Sequence, residues 1–196
     1  MKRSELIGRY PELTMDEVQW LISQKKPHTD ISEQITPYNS DAEWKERLKD
    51  IWWSKDYKGE TEERVRPVLK LRDVLLSLGG CEACLPVIEE DLEHILKYGQ
   101  LWDNITKTTM KGDRNQCHRN SAELWHNNRG SYKNGHALFI CTGYALSADG
   151  IWRQHSWLLH AKPRANVLIE TTEPRVAYYG FGMDHSIAEE FEYYNF

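Results

Sequence analysis

Apolar residues follow a helical period over roughly the first hundred positions and a strand-like rhythm after that. Thr14 to Glu17, Thr-Met-Asp-Glu, has the form of a capping box, and Val18, Leu21 and Ile22 give the helix behind it an apolar stripe. Lys25-Lys26-Pro27 ends that helix, and the polar residues 28–39 read as a loop. Ser40 to Glu43 is a second capping box, ahead of a helix with Trp44, Leu48, Ile51 and Trp52 on one face. After a charged linker, 55–63, Pro67 is expected in the first turn of a third helix. Its inward face is Val68, Leu71, Val74, Leu75 and Leu78, and Gly79-Gly80 stops it. A fourth helix is expected to begin at Pro86, to turn Val87, Ile88, Leu92, Ile95 and Leu96 inward, and to end at Gly99.

Beyond Trp102 the pattern changes. Gly112 and Asp113 break any preceding element, and Asp113 is placed to cap a helix in which Cys117, Ser121, Leu124 and Trp125 share one face. A Gly/Asn-rich break, 127–135, follows. Three strand-like runs come next, 137–146, 151–160 and 167–172, with a fourth at 176–181. A short acidic helix from Ser186 would turn Ile187 and Phe191 inward. The class this predicts is α+β. A helical region, 1–100, is part of the same unit as a core, 101–196, in which the Cys117 helix packs on an antiparallel sheet.

The turns predict a register. Asp149-Gly150 reads as a two-residue hairpin turn, which sets Ala148 opposite Ile151 and Tyr144 opposite His155. A four-residue loop from Ala161 to Arg164 would pair His155 directly with Glu170. A two-residue loop of Pro163 and Arg164 would make them diagonal neighbours on one face, and any odd length would put them on opposite faces.

Composition narrows the function classes. With 40% apolar and 28% charged residues the chain can build a core and stay in water, and a net charge of −5 gives no general reason to expect nucleic acid or an anionic membrane as partner. No run approaches the length of a membrane span, and the N-terminus lacks the apolar core of a signal peptide, so the expected location is cytoplasmic. The four cysteines are then expected as free thiols. Eight tryptophans and ten tyrosines imply an aromatic core or an aromatic-lined cleft.

Candidate chemistry gathers at Cys117. The first turn of a helix stabilises a thiolate, and Lys107, Lys111, Arg114 and Arg119 lie close to it in sequence. His155 sits on a strand between Trp152 and Trp157, and Glu170 lies on the next strand, where a carboxylate is costly without a partner. That partner is His155 or Arg153. A Cys–His pair oriented by a third polar group is the minimum for covalent thiol catalysis. The plainer alternatives are a buried inert thiol at Cys117 and a hydrogen-bonded sheet histidine at 155. His118 would be a competing base, but it points about 100° around the helix from the thiol. Trp157 shares the face of His155 and is a candidate cleft wall, with a core position as the alternative. Cys81 and Cys84 form a lone Cys-x-x-Cys, too few ligands for a structural zinc, so no metal is expected.

The order and compact spacing of Cys117, His155 and Glu170 resemble the transglutaminase-like branch of the papain-like cysteine superfamily. The likeness covers about the second half of the chain. It implies a cysteine-bearing helix packed on an antiparallel sheet that carries the histidine and the third residue. It also implies a cysteine-dependent hydrolase or acyltransferase (peptidase, deamidase or transglutaminase-like) with protein or peptide amides as substrates. In that family Cys117 would attack the acyl carbon, His155 would move the proton and Glu170 would hold the imidazole. The oxyanion would meet the Cys117 amide and the side chain of Asn115 or Gln116. No cofactor is needed for that chemistry. Glutamate stands where aspartate or asparagine is common, and the Gly-x-Cys-Trp surround is missing. The wording around Gln-Cys-His-Arg-Asn, Trp-Arg-Gln-His-Ser-Trp and Ile-Glu-Thr-Thr is also similar to a group of short bacterial and phage proteins. The alternative function is a non-catalytic protein-binding module of the same fold, using aromatic surface and the acidic tail. A third is action on a nucleotide or other anion held by the cations near Cys117.

Overall fold

The computed structural model describes residues 2–23, 62–86, 89–103, 105–129 and 136–196. Among them are six helices and seven strands, an α+β arrangement around one curled, mostly antiparallel sheet. The helices are α1 (Arg3–Ile7), α2 (Met15–Ile22), α3 (Glu62–Leu78), α4 (Leu92–Tyr98), α5 (Cys117–Asn128) and α6 (His185–Asn195). The strands are β1 (Glu82–Cys84), β2 (Gln100–Trp102), β3 (Thr106–Thr109), β4 (Ala137–Leu146), β5 (Ile151–Ala161), β6 (Asn166–Glu170) and β7 (Ala177–Gly182). They run in the order β2-β7-β4-β5-β6-β3, and β1 joins β5 in parallel. Among the described residues no helix is long and apolar enough to cross a membrane.

The expected capping box forms at α2, where Thr14 Oγ1 accepts from Glu17 N and Glu17 reaches back to Thr14 N. Val18, Leu21 and Ile22 are buried as the stripe requires. The second capping box and its Trp44–Trp52 face lie outside the described residues. Helix α3 begins at Glu62, so Pro67 falls within it rather than in its first turn. The charged opening, Glu62 to Arg66, has the composition of a linker and hides that first turn. The fourth helix starts at Leu92, not at Pro86, and residues 82–84, read as a connection, form β1 beside Ile151, Trp152 and Arg153. Neither β2 nor β3 is announced by alternation; β3 is an edge strand of Thr-Lys-Thr-Thr.

Even-numbered residues of β4 and β5, Leu138, Ile140, Tyr144, Leu146, Trp152 and Leu158, pack with α3, α4 and α5 in one core. Odd-numbered ones, Phe139, Cys141, Ala145, Trp157 and Leu159, pack with α1 and α2 in another. The second core fills the concave side. Tyr178 on β7 touches Glu170 on β6 across two intervening strands, and Lys107 on β3 donates to the carbonyls of Arg175 and Val176 at the entrance to β7. The sheet therefore curls until its outer strands nearly meet.

The β4–β5 register pairs Gly143, not Tyr144, with His155. The turn holds three residues, Ala148, Asp149 and Gly150, because Gly150 takes φ +82° and Ser147 N bonds to Ile151 O. This is the loop that closes with a residue in the left-handed region. Between β5 and β6, Lys162 N bonds to Ala165 O around the two-residue loop of Pro163 and Arg164, and Leu158 pairs with Ile169. His155 and Glu170 are thereby diagonal neighbours on the concave face.

Candidate active site

Glu170 ends a buried strand and is 1% exposed, a position that a carboxylate tolerates only with donors around it. Oε1 accepts from Thr172 N (2.8 Å) and Thr172 Oγ1 (2.9 Å), and Oε2 accepts from the Tyr178 hydroxyl (2.7 Å). His155 Nε2 lies 2.9 Å from Oε2 and 3.1 Å from Oε1. Burial pushes the carboxyl group up, but the bonds and charge of His155, with those of Thr172 and Tyr178, outweigh it and bring Glu170 down to about 2.

His155 is 3% exposed and stacks on Trp157 at a centroid distance of 6.3 Å. Its Nε2 is taken by Glu170, and the Cys117 thiol is the other side chain paired with the ring. Burial disfavours the imidazolium, yet the two partners together raise His155 to about 9.

Cys117 reaches this ring through a gap in the sheet. One edge of β5 pairs with β1 over residues 151–153 and with β6 over 158–161. Between those ladders, residues 154–157 have no described strand beside them on that edge, and the start of α5 lies there. The sulfur meets the Ser156 N–H from the strand and the His118 N–H from the helix's first turn. Burial pushes the thiol up, but His155 and these two amides outweigh it, so Cys117 lies below the usual thiol value. Burial drives Cys84 the other way, to about 11, and raises Cys141 as well.

The helix start is set from within. Asn115 adopts φ +60° and Gln116 is the N-cap, without a side-chain cap bond. The expected cap, Asp113, contributes its main chain: its N–H donates to Asn120 Oδ1 (3.1 Å) and its carbonyl accepts from Asn120 Nδ2 (2.7 Å). The same amide reaches the Thr171 carbonyl, next to Glu170 (3.4 Å). Asn120 thus ties the loop before Cys117 to the segment that carries the carboxylate.

The structure brings Cys117, His155 and Glu170 together and sets Asn115 on a cleft of about 210 Å³ in front of them, shared with Thr172, Arg153 and Arg175. Gln116 is exposed and Trp157 is fully buried against Trp102 and Tyr178, and neither lines that cleft. Trp157 is a core residue supporting the imidazole because the concave side of β5 is filled by α1 and α2. Arg153 is bonded to Asp149 through both terminal nitrogens (2.9 and 2.6 Å), which leaves Glu170 to His155. His118 holds Ser156 Oγ (2.7 Å), and burial and repulsion from His155 lower it. The cations expected to depress Cys117 lie elsewhere. Lys107 is engaged by Arg175 and Val176, and Lys111, Arg114 and Arg119 are exposed and do not line the cleft.

Thr172, Tyr178, Ser156, Asn120 and Arg175 were not singled out by sequence. Only Thr172 has a local signal, as a hydroxyl two residues after a buried carboxylate. Cys81 and Cys84 stand at β1, and among the described residues no group of three or more His, Cys, Asp or Glu could hold a metal ion. No family model matches the chain, and no curated protein or solved structure matches it.

Proposed function

We propose that this chain is a cysteine-dependent hydrolase or acyltransferase acting on protein or peptide amides, with a core of the transglutaminase-like type. The observation that carries the reading is a buried imidazole bonded through Nε2 to Glu170 and paired with a thiol that it lowers in pKa. The Cys117 thiolate attacks the carbonyl carbon, a C–S bond forms and the π electrons move to oxygen. The tetrahedral adduct collapses, the C–N bond breaks, and His155 Nδ1 gives its proton to the departing amine. Water or an amine then attacks the thioester, His155 takes its proton, and the acyl group leaves Cys117 as acid or amide. Glu170 keeps the proton on Nε2 and stabilises the imidazolium. Asn115, on the cleft, is the side-chain donor for the oxyanion, with the Cys117 amide. The chemistry needs a reducing setting such as the cytoplasm, where Cys117 stays a free thiol.

The binding-module reading draws on a different observation: Tyr193, Tyr194 and Phe196 are 82%, 74% and 63% exposed at the end of acidic α6. Thiol reactivity separates the two. Iodoacetamide is applied across pH 5–9 to wild type and His155→Ala, with each modified cysteine mapped by peptide mass. Fast labelling of Cys117 near pH 6 that collapses in the mutant supports the enzyme. Labelling no faster than at Cys84 and indifferent to His155 leaves the binding module.

A further inference from the structure

Cys117 and His155 share their cleft with two guanidinium groups that differ in how they are satisfied. Arg153 spends both terminal nitrogens on Asp149 in a two-point ion pair and has little left for a ligand. Arg175 is 18% exposed and has no such partner. Its Nη1 donates to a neutral acceptor, Ser147 Oγ (2.8 Å). Its Nη2 lies 3.5 Å from Glu173, a carboxylate that is 62% exposed. Its Nε is buried and has no acceptor. A settled charge-assisted bond is about 2.7–2.9 Å long, so Glu173 stands near this edge without closing on it. Nε is closed to the cleft, so Nη2 is the nitrogen left to meet an oxygen of a ligand carboxylate.

The main chain holds this group in place relative to the catalytic carboxylate. Arg175 N donates to the Tyr178 hydroxyl, which donates to Glu170, and the Arg175 carbonyl accepts from Lys107 Nζ (2.9 Å). We propose that Arg175 is a specificity residue that grips a carboxylate on the acyl donor, so that the cleft selects amides with an anionic group close to the reacting carbonyl. The volume, about 210 Å³, suits one small acidic residue rather than an extended anion such as a nucleotide. Glu173, exposed and 3.5 Å from Nη2, stands beside the place of that carboxylate and competes with it for the guanidinium. This assignment rests on Cys117 being the nucleophile.

Two alkylating agents of the same size test it. Iodoacetate carries a carboxylate next to its reacting carbon and iodoacetamide does not. The rate ratio of the two at Cys117 is normalised to the ratio on free glutathione. Arg175→Gln is expected to lower this ratio about tenfold, the loss of one charge-assisted contact. Glu173→Gln, a change at an exposed side chain, is expected to raise it about two- to threefold by removing the competing anion. A ratio unchanged by both variants overturns the proposal, even where iodoacetamide alone shows Cys117 to be reactive. If iodoacetamide finds no reactive thiol at all, it is the proposed function that fails. Protection of Cys117 by N-acetylglutamate α-amide marks an acidic side chain as the source of the carboxylate, and protection by N-acetylglutamine marks a chain terminus. Protection by neither counts against the proposal.

Discussion

The hydroxyl of Tyr178 donates to Oε2 of Glu170 over 2.7 Å, although β7 and β6 are separated in the sheet by β4 and β5. The bond spans the concave side of the curl and is one of four donors that keep a buried carboxylate ionised. Tyr178→Phe removes it together with the longer bond from Arg175 N to the same hydroxyl (3.3 Å). The expected cost is about 1.5–3 kcal/mol, the range for a hydrogen bond to a charged group, read from urea unfolding. Glu170 should then titrate at higher pH, moving the acid unfolding midpoint upward. A midpoint shared with wild type would mean that Glu170 does not depend on this donor.

The ion pair between Glu170 and His155 makes stability depend on pH in both directions. Glu170 falls from its ordinary 4.5 to about 2, so its contribution is complete above about 4.5 and is lost as pH drops towards 2. His155 rises from 6.5 to about 9, so its contribution is complete below 6.5 and is lost as pH climbs through 9. The gap in unfolding free energy between wild type and Glu170→Gln should be widest from about pH 4.5 to 6.5, on the order of 3 kcal/mol. It should narrow on either side. A gap that stays level from pH 3 to pH 9 would contradict the pairing.

Turnover and labelling should part company in alkali. In the proposed reaction, attack needs only the thiolate, but departure of the amine needs the imidazolium, and His155 is raised to about 9. Iodoacetamide labelling of Cys117 should therefore stay on a plateau above pH 9 while turnover of an amide substrate falls about tenfold per pH unit. Two profiles that decline together would point to unfolding, which circular dichroism at the same pH values would reveal.

Gly112 has no room for a side chain: a Cβ there would come 2.5 Å from Asn120 Cγ. Gly112→Ala is expected to cost about 1–3 kcal/mol as an overpacked site. Because Asn120 ties this loop to Thr171, the change should also slow Cys117 labelling at pH 6 several-fold while α5 stays helical. Asn120→Ala, which frees the loop without crowding it, should slow labelling as well. If neither variant alters labelling, the loop does not position the thiol.

Much of the site could be read in the chain because strand parity carries it. An even loop between β5 and β6 is enough to put His155 and Glu170 on one face, and the loop holds two residues. The partner across β4 was harder. All ten residues of β4 are buried, so no alternation marks which of them face the concave side, and one residue more in the Asp149 turn replaces Tyr144 with Gly143. The curl was hidden for another reason. It depends on contacts between strands that are not neighbours, Tyr178 to Glu170 and Lys107 to Arg175, and no local pattern encodes those. Cys117 was found through its helix, but the force that lowers it comes from His155 and the Ser156 amide rather than from nearby lysines and arginines.

The gap along β5 also bears on how the chain assembles. Its far border, β6, joins β5 through a two-residue turn and can pair early, since such closures are local. Its near border, β1, lies much earlier in the chain, with Cys81 bonded to Gly150 across 69 positions, so its docking closes a long loop at a larger entropic cost. The slot that admits Cys117 is therefore bounded on one side by a local closure and on the other by a distant one, and a change that loosens β1 from residues 151–153 would open it without touching Cys117, His155 or Glu170.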